Sequence, residues 1–304
     1  MTTARPSAAP GWFEAALAHR PEERTIDVEG CDVHYLRWGD PRAAGVVLVH
    51  GGAAHAHWWS FTAPLVAASH HVVAIDLSGH GDSGRRDAYE PELWAREVAT
   101  VAEDAGMDHP VLVGHSMGGF VSIVAAANHG DGLAGAVIVD SPVRRPDPES
   151  QEGRGGRMFR APKTYPSLEE AMDHFVLVPP QPCDNDFIID YVARHSLHEV
   201  DDGWTWKFDP RIFQRFSSRI FGDYLADAKC RVAVFHGEMS HVVTDDITEY
   251  MNELLGRNAP FVEIPQAYHH LILDQPLAFV AALRAILADW EHTIPRARLE
   301  LQAD

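Results

Sequence analysis

Short, uninterrupted runs of apolar residues recur along the chain and predict the strands of a parallel sheet. The clearest runs lie at residues 45–49, 111–113 and 133–139. A run that is apolar at every position, rather than at every second one, is typical of a central strand buried on both faces. Less pronounced runs predict further strands at residues 71–75, 232–235 and 261–264.

Segments with apolar residues at helical spacing separate these runs. Within residues 91–106, for example, Val98, Val101 and Ala102 would share one face of a helix. The other predicted helices of this part cover residues 11–20, 58–68, 120–128, 244–255 and 276–290. Residues 25–28 and 33–38 predict an antiparallel pair of strands near the start. The regular alternation that follows predicts an α/β fold with a doubly wound, mostly parallel sheet.

The rhythm of strands and helices breaks in the middle of the chain. Helix-like patterns there cover residues 167–177, 185–197 and 210–218. A helical insertion between two strands of such a sheet would cover the carboxyl edge of the sheet, where it would exclude water and shape a pocket. The sequence therefore predicts an α/β core formed by residues 1–140 and 229–304, with a helical cap formed by residues 141–228.

A glycine-flanked serine follows one of the central strands. The pentapeptide Gly114-His115-Ser116-Met117-Gly118 lies between the apolar run at 111–113 and the predicted helix at 120–128. A strand, a sharp turn and a helix are the setting in which the pattern G-x-S-x-G exposes a nucleophilic serine beside the amides of a helix N-terminus. The two glycines allow a close backbone approach that side chains would block. Ser116 is therefore the candidate nucleophile. The turn at residues 114–118 is called the elbow below, and the predicted helix that follows it is called the elbow helix.

Other turns at the same edge of the sheet carry candidate chemistry. His50-Gly51-Gly52 follows the strand at 45–49, and small residues in this place let backbone amides point into a cleft. His269 and His270 follow the last strand and could supply the base that a serine hydroxyl needs. The glycine-rich turn at 76–84 lacks the lysine and the spacing of a phosphate-binding loop, which indicates a structural turn.

In combination, these motifs resemble the α/β-hydrolase family over about residues 25–292. The resemblance implies that the main-chain N–H groups of Gly52 and Met117 form an oxyanion hole. In that family the catalytic histidine usually precedes a proline by seven residues. His269 lies seven residues before Pro276 and is the predicted base, although Tyr268 stands where the family usually has glycine. His270 is then expected to be a packed or supporting histidine.

The acid that orients the base is where the chain departs most from the family. The usual aspartate comes three residues after the glycine that here is Gly237, but this position is Ser240, which carries no charge. Asp140 is the predicted substitute because it ends the strand that follows the elbow helix. Certain haloalkane dehalogenases and a zearalenone lactonase resemble this arrangement. Glu238 and Asp245 are the alternative acids.

The resemblance implies a serine hydrolase that cleaves a carboxylic ester or lactone through an acyl-enzyme on Ser116. The aromatic residues of the insertion favour a small, apolar substrate. A hydrolase of C–C bonds, a cofactor-free oxygenase and a ligand-binding homologue without catalysis are the alternatives on this fold. Haloalkane dehalogenases and epoxide hydrolases have aspartate at the position of Ser116, which argues against those two activities.

The amino-acid composition limits the kinds of partner that we expect this protein to bind. The formal net charge of −19 would repel phosphate backbones, so no nucleic-acid partner is expected. No run of about 18 apolar residues predicts a membrane span, and residues 1–10 do not resemble a signal peptide.

Cysteine and histidine usage bears on compartment and cofactors. The three cysteines, Cys31, Cys183 and Cys230, are far apart in the sequence and predict reduced thiols in a cytoplasmic protein. Nineteen histidines are many, but none has a recognised metal-ligand spacing, so neither a metal nor another cofactor is expected. The sequence does not determine the oligomeric state.

Overall fold

The computed structural model describes residues 8–146, 162–212 and 221–300, with the backbone alone for residues 293–300. Within these residues an eight-stranded sheet has the order β1-β2-β4-β3-β5-β6-β9-β10. The strands of this sheet are β1 (Glu22–Val28), β2 (Cys31–Trp38), β3 (Gly45–Val49), β4 (His71–Ile75), β5 (Val111–His115), β6 (Gly135–Val139), β9 (Arg231–Gly237) and β10 (Phe261–Ile264). The pairs β1–β2 and β2–β4 are antiparallel, and all other neighbours are parallel. The predicted mostly parallel α/β sheet is therefore confirmed.

Helices connect the strands and close both faces of the sheet. They are α1 (Gly11–Ala18), α2 (Ala63–Ala67), α3 (Pro91–Asp104), α4 (Met117–Asn128), α5 (Leu168–Met172), α6 (Asp186–His195), α7 (Phe221–Ala226), α8 (Asp245–Leu254), α9 (Leu271–Asp274) and α10 (Pro276–Glu300). Among the helices that the structure describes, none is long and apolar enough to cross a membrane.

The single helix expected at residues 58–68 is instead two short elements. A 3-10 helix covers Ala56–Trp59, and α2 starts four residues later with Pro64 in its first turn. Proline has no N–H to donate to a preceding turn, so it is tolerated at a helix start but not in the interior. Pro64 therefore ends one helical segment and begins the next.

The side chains of the central strands belong to two hydrophobic clusters, one on each face of the sheet. All five residues of β3 are buried, and they alternate between the faces. Val47 and Val49 pack into the cluster that contains α3 and α4, while Val46 and Leu48 pack into the cluster that contains α10. Burial on both faces explains why the sequence of this strand is apolar throughout.

The segment between β6 and β9, residues 141–228, is called the inserted segment below. Its described part holds α5, α6, α7 and a hairpin of β7 (Leu197–Val200) and β8 (Gly203–Trp206). The sequence patterns did not predict this hairpin, although Asp202-Gly203 is a turn signal and Gly203 has a φ of 131°. Most of the helix expected at residues 210–218 lies outside the described residues.

Several histidines are buried as neutral groups, and this accounts for part of the high histidine content. Burial lowers the pKa of each of them, to about 3 for His80 and His115. Burial also lowers the pKa of His50, His55, His71 and His270, and it lowers that of His57 to about 4. His34 behaves in the opposite way: burial lowers its pKa, but the hydrogen bond to Asp76 and the negative charges of Asp76, Asp82 and Glu23 together outweigh burial and raise it.

We expect the stability of the fold to decrease as the pH falls below about 6.5. The unfolded chain then binds protons at buried histidines whose pKa is lowered in the folded state, while the raised pKa values of His34, Glu97 and Asp274 act in the opposite direction. A histidine whose folded pKa lies far below this window, such as His80 or His115, contributes up to about 1.4 kcal/mol per pH unit. Thermal unfolding followed between pH 7 and 5, above the range in which most carboxylates titrate, measures the effect. A midpoint that stays level over this range would contradict the expectation.

Candidate active site

Ser116 lies on a strained turn between β5 and α4. Its φ of 53° and ψ of −117° lie outside the regions that residues with side chains usually occupy. The turn is tight because neighbouring backbone segments almost touch: a Cβ atom on Gly114 would lie 2.2 Å from the carbonyl oxygen of Gly118, and one on Gly118 would lie 2.3 Å from that of Val49. Glycine at both positions is therefore a steric requirement of the elbow, as the sequence pattern predicted.

The imidazole of His269 lies between a hydroxyl and a carboxylate. His269 belongs to the turn between β10 and α9, and its Nε2 lies 3.1 Å from the Oγ of Ser116. Its Nδ1 lies 2.7 Å from the Oδ2 of Asp140. A carboxylate only accepts hydrogen bonds, so this contact assigns the imidazole proton to Nδ1. Nε2 is then free to accept the proton of the Ser116 hydroxyl.

The Asp140 carboxylate is fully buried and held from several sides. Asp140 follows β6 directly, with a φ of 49°. Its Oδ1 accepts the N–H of Gly237 at 3.1 Å, and its Oδ2 accepts the hydroxyl of Ser240 at 2.7 Å. Sequence reasoning noted only that Ser240 cannot be the acid. In the structure, the residue at the family's usual acid position donates a hydrogen bond to the carboxylate at the other position.

The two alternative acids lie elsewhere. Glu238 is exposed, and its Oε2 accepts the backbone N–H of Gln266 at 2.8 Å. Asp245 is exposed in the first turn of α8. Of the three carboxylates that the sequence left open, Asp140 is the one with an oxygen in hydrogen-bond contact with His269.

Two backbone amides near the serine have no hydrogen-bond acceptor among the described residues. The N–H of Met117 is the first of α4, and no described group accepts a hydrogen bond from it or from the N–H of Gly52. A Cβ on Gly51 would lie 3.2 Å from the Cβ of Ser116, so the 51–52 backbone runs directly beside the serine. Both donors predicted for an oxyanion hole are therefore near the elbow.

His50 holds the backbone that carries the N–H of Gly52. The N–H of Leu77 donates to His50 Nε2 at 3.1 Å, which leaves Nδ1 as the donor to the carbonyl of Gly51 at 2.7 Å. Burial lowers the pKa of His50, so this bridge stays uncharged. His50 thus supports the loop at residues 51–52.

Two further histidines pack against His269. The ring centroids of His115 and His270 lie 4.9 and 4.8 Å from that of His269. Burial lowers the pKa of both, so His269 has uncharged neighbours. Nitrogens of these three residues lie within 4.8 Å of one another, close enough to be considered as metal ligands. Both nitrogens of His269 already contact Ser116 and Asp140, however, so a metal would have to displace these contacts.

His34, Asp76 and Asp82 form a second group of this kind. The Asp76 carboxylate already accepts from His34 and from the N–H groups of Ala56 and Asp82. These bonds connect β2, β4 and the glycine-rich turn at residues 76–84. Asp76 therefore has a structural role, which agrees with the interpretation of this turn as structural.

A small cavity of about 50 Å³ lies at Ser116. The core lines it with Gly51, Gly52, Trp58 and His270, and the inserted segment lines it with residues 175–178. These four residues are Phe-Val-Leu-Val, so the wall opposite the core is apolar. The cavity has room for a short acyl group, because one water-sized probe occupies roughly 10–15 Å³.

Comparison with known proteins gives a consistent family. A sequence model described as the alpha/beta hydrolase family matches residues 46–283. An esterase of Mycobacterium tuberculosis, Rv0045c, is 27% identical over 290 residues, which cover 90% of this chain and 92% of the relative. N-formylmaleamate deformylase of Pseudomonas putida is 33% identical over 123 residues, 40% of this chain and 46% of the relative.

Solved structures have the same fold. That of E-2-(acetamidomethylene)succinate hydrolase superposes with a TM-score of 0.76 at 20% identity, covering 88% of this chain and 99% of the other. The structure of the esterase Rv0045c superposes with a TM-score of 0.70 at 24% identity, covering 92% of this chain and 99% of the other.

We expect Gly118→Ala to destabilise the protein by about 3 kcal/mol, since the new methyl group would collide with the carbonyl oxygens of Val49 and His50. Gly132→Ala is the matched control, because a Cβ there meets nothing within 4 Å. Chemical denaturation of the two variants measures the difference. Equal stability of both would show that the elbow can relax to accept a side chain.

Proposed function

The chain belongs to the alpha/beta hydrolase family and is an α/β-fold hydrolase, and we propose that it cleaves a carboxylic ester or lactone through an acyl-enzyme on Ser116. The observation that carries this proposal is the continuous chain of hydrogen bonds from Ser116 Oγ through His269 to Asp140. The esterase that is similar over most of both chains supports it. Ser116 is then the nucleophile, His269 the base and Asp140 the acid.

The mechanism begins with attack of the Ser116 oxygen on the substrate carbonyl while His269 Nε2 takes the hydroxyl proton. The carbonyl oxygen gains negative charge and accepts hydrogen bonds from the N–H groups of Gly52 and Met117. Collapse of this intermediate expels the alcohol, which receives its proton from His269. Water then attacks the acyl-enzyme in the same way and releases the acid. Asp140 stabilises the transient imidazolium without itself taking the proton.

The nucleophile separates this proposal from other reactions of the fold. An epoxide hydrolase of Mycobacterium tuberculosis is 32% identical over 40% of this chain. Enzymes of that class have aspartate where this chain has Ser116. A serine oxygen forms an ester with an acyl group, which water can then hydrolyse. Acyl transfer is therefore the chemistry that Ser116 supports best.

We assign the inserted segment, residues 141–228, as a cap over the serine. Residues 175–178 contribute the apolar wall of the cavity, and Leu177 is buried in the same cluster as core residues of β3. A small cavity with such a wall suits a small, apolar acyl group. The free thiols of Cys31, Cys183 and Cys230 suit the cytoplasm, which is our proposed location.

Replacement of Ser116 tests the nucleophile. We expect Ser116→Ala to lose at least about 10³-fold in kcat on a p-nitrophenyl ester of a short fatty acid, because no other group would form the acyl-enzyme. A fluorophosphonate probe should label the wild-type protein at Ser116, with peptide mass spectrometry as the measurement. Full esterase activity of the variant would overturn the proposal, and an unlabelled, inactive wild type would favour a ligand-binding protein.

Matched amide substitutions test the acid. Asp140→Asn should lower kcat by about 10⁴-fold, because an amide can neither fix the imidazole tautomer nor stabilise the imidazolium. Glu238→Gln is the control and should keep wild-type kcat, since Glu238 is exposed and bonded to Gln266. Steady-state kinetics of both variants give the answer. The reverse order of effects would assign the acid to Glu238.

A further inference from the structure

The peptide groups on both sides of His269 are held by side chains. The N–H of Tyr268 donates to Asp274 Oδ2 at 2.8 Å, and the N–H of His270 donates to Gln181 Oε1 at 2.8 Å. The Nε2 of Gln181 in turn donates to both oxygens of Asp274, at 2.9 and 2.8 Å. Gln181 and Asp274 thus form one hydrogen-bonded unit that spans the backbone of the base.

The carbonyl of His269 itself is fixed from the opposite side. It accepts a hydrogen bond from His115 Nε2 at 2.9 Å, and His115 precedes the nucleophile in the chain. Three consecutive residues, 268 to 270, are therefore restrained at an N–H, a carbonyl and a second N–H. With its backbone fixed, the His269 ring keeps both its 3.1 Å contact with Ser116 and its 2.7 Å contact with Asp140.

Gln181 reaches this site from the inserted segment. It is 89 residues away from His270 in sequence, and its neighbours bind the same loop. The Asn185 side chain donates to the carbonyls of Leu273 and Asp274 at 2.7 and 3.0 Å. Burial raises the pKa of the Cys183 thiol to about 12, and its contact with the Asp274 carboxylate acts in the same direction. Residues 181–185 therefore dock onto the loop that carries the base.

We propose that Gln181 is a positioning residue for the catalytic base, acting through the N–H of His270 and the carboxylate of Asp274. The inference rests on the proposed function, since it assigns His269 as the base. A glutamine suits the place because its oxygen accepts from the backbone while its NH₂ group donates to the carboxylate. Alignment of the base with the serine then depends on the inserted segment being docked, which links the wall of the pocket to the catalytic machinery.

The requirement is sharp because proton transfer depends on geometry. A displacement of about 1 Å at a catalytic group can cost about 10²-fold in rate. Loss of the Gln181 contacts would leave the His270 N–H without its acceptor and would remove the side-chain amide that donates to the Asp274 carboxylate. The substrate contacts of the cavity wall at residues 175–178 would remain. A positioning role therefore predicts a loss in kcat with little change in KM.

Exchanging the amide and the carboxylate between positions 181 and 274 provides the test. Gln181→Glu places two carboxylates face to face at about pH 8, and we expect kcat to fall by about 10²-fold. Adding Asp274→Asn restores the bond between the two side chains with the direction of donation reversed and keeps an acceptor for both backbone N–H groups. The carboxylate introduced by the first change accepts from the His270 N–H and from the new amide, and the oxygen of that amide accepts from the Tyr268 N–H. The double variant should recover kcat to within about fivefold of wild type.

Asn185→Leu is the matched control. Leucine has the same branching at Cγ but cannot donate, so the change removes two bonds between the inserted segment and the same loop and leaves the amides beside His269 untouched. We expect it to lower the thermal midpoint while keeping kcat within about threefold of wild type. Thermal midpoints, kcat and KM on a p-nitrophenyl ester, and the rate of fluorophosphonate labelling are measured for all variants.

The outcomes separate the inference from the proposed function. Loss of kcat and of labelling rate in Gln181→Glu, with recovery in the double variant, supports positioning. Unchanged kcat in Gln181→Glu, no recovery in the double variant, or an equal loss of kcat in Asn185→Leu overturns it. A failure of the proposed function is seen independently, because the wild-type protein would then remain unlabelled at Ser116.

Discussion

The hydrogen bond between Asp140 Oδ2 and His269 Nδ1, 2.7 Å long, is the interaction on which the site depends. It joins the end of β6 to the turn after β10, and β9 lies between these two strands in the sheet. The contact is possible because the carboxyl ends of parallel strands meet at one edge. The carboxylate is buried, but the Gly237 N–H and the Ser240 hydroxyl satisfy it, which makes a buried charge tolerable.

The histidines that surround this bond are uncharged neighbours of His269. His115 and His270 pack against His269, yet burial holds both of them uncharged. Two further cations at this distance would oppose a positive charge on His269. Burial therefore gives histidines in one cluster different roles. The fold is less stable at low pH as a consequence, because protons bind to these histidines in the unfolded chain but not in the folded one.

The inserted segment contacts the site at two places that are only a few residues apart in the chain. Residues 175–178 form the apolar wall of the cavity, and residues 181–185 bind the loop of His269 a few positions later. A movement of this segment that widened the cavity would also strain the contacts of Gln181. The width of the cavity and the backbone on either side of His269 are thus linked through one short stretch of chain.

The sequence by itself determined the fold class, because uninterrupted apolar runs require strands buried on both faces, and it determined the elbow, because Gly114 and Gly118 serve a local steric need. Local patterns did not reveal the hairpin at Leu197–Trp206, whose strands are only four residues long. They favoured Asp140 over Glu238 and Asp245 but could not show which carboxylate contacts His269, and they did not find the donor roles of Ser240 and Gln181. Those depend on contacts between residues about 90 to 130 positions apart, and only the packing of the sheet and the inserted segment brings such residues together.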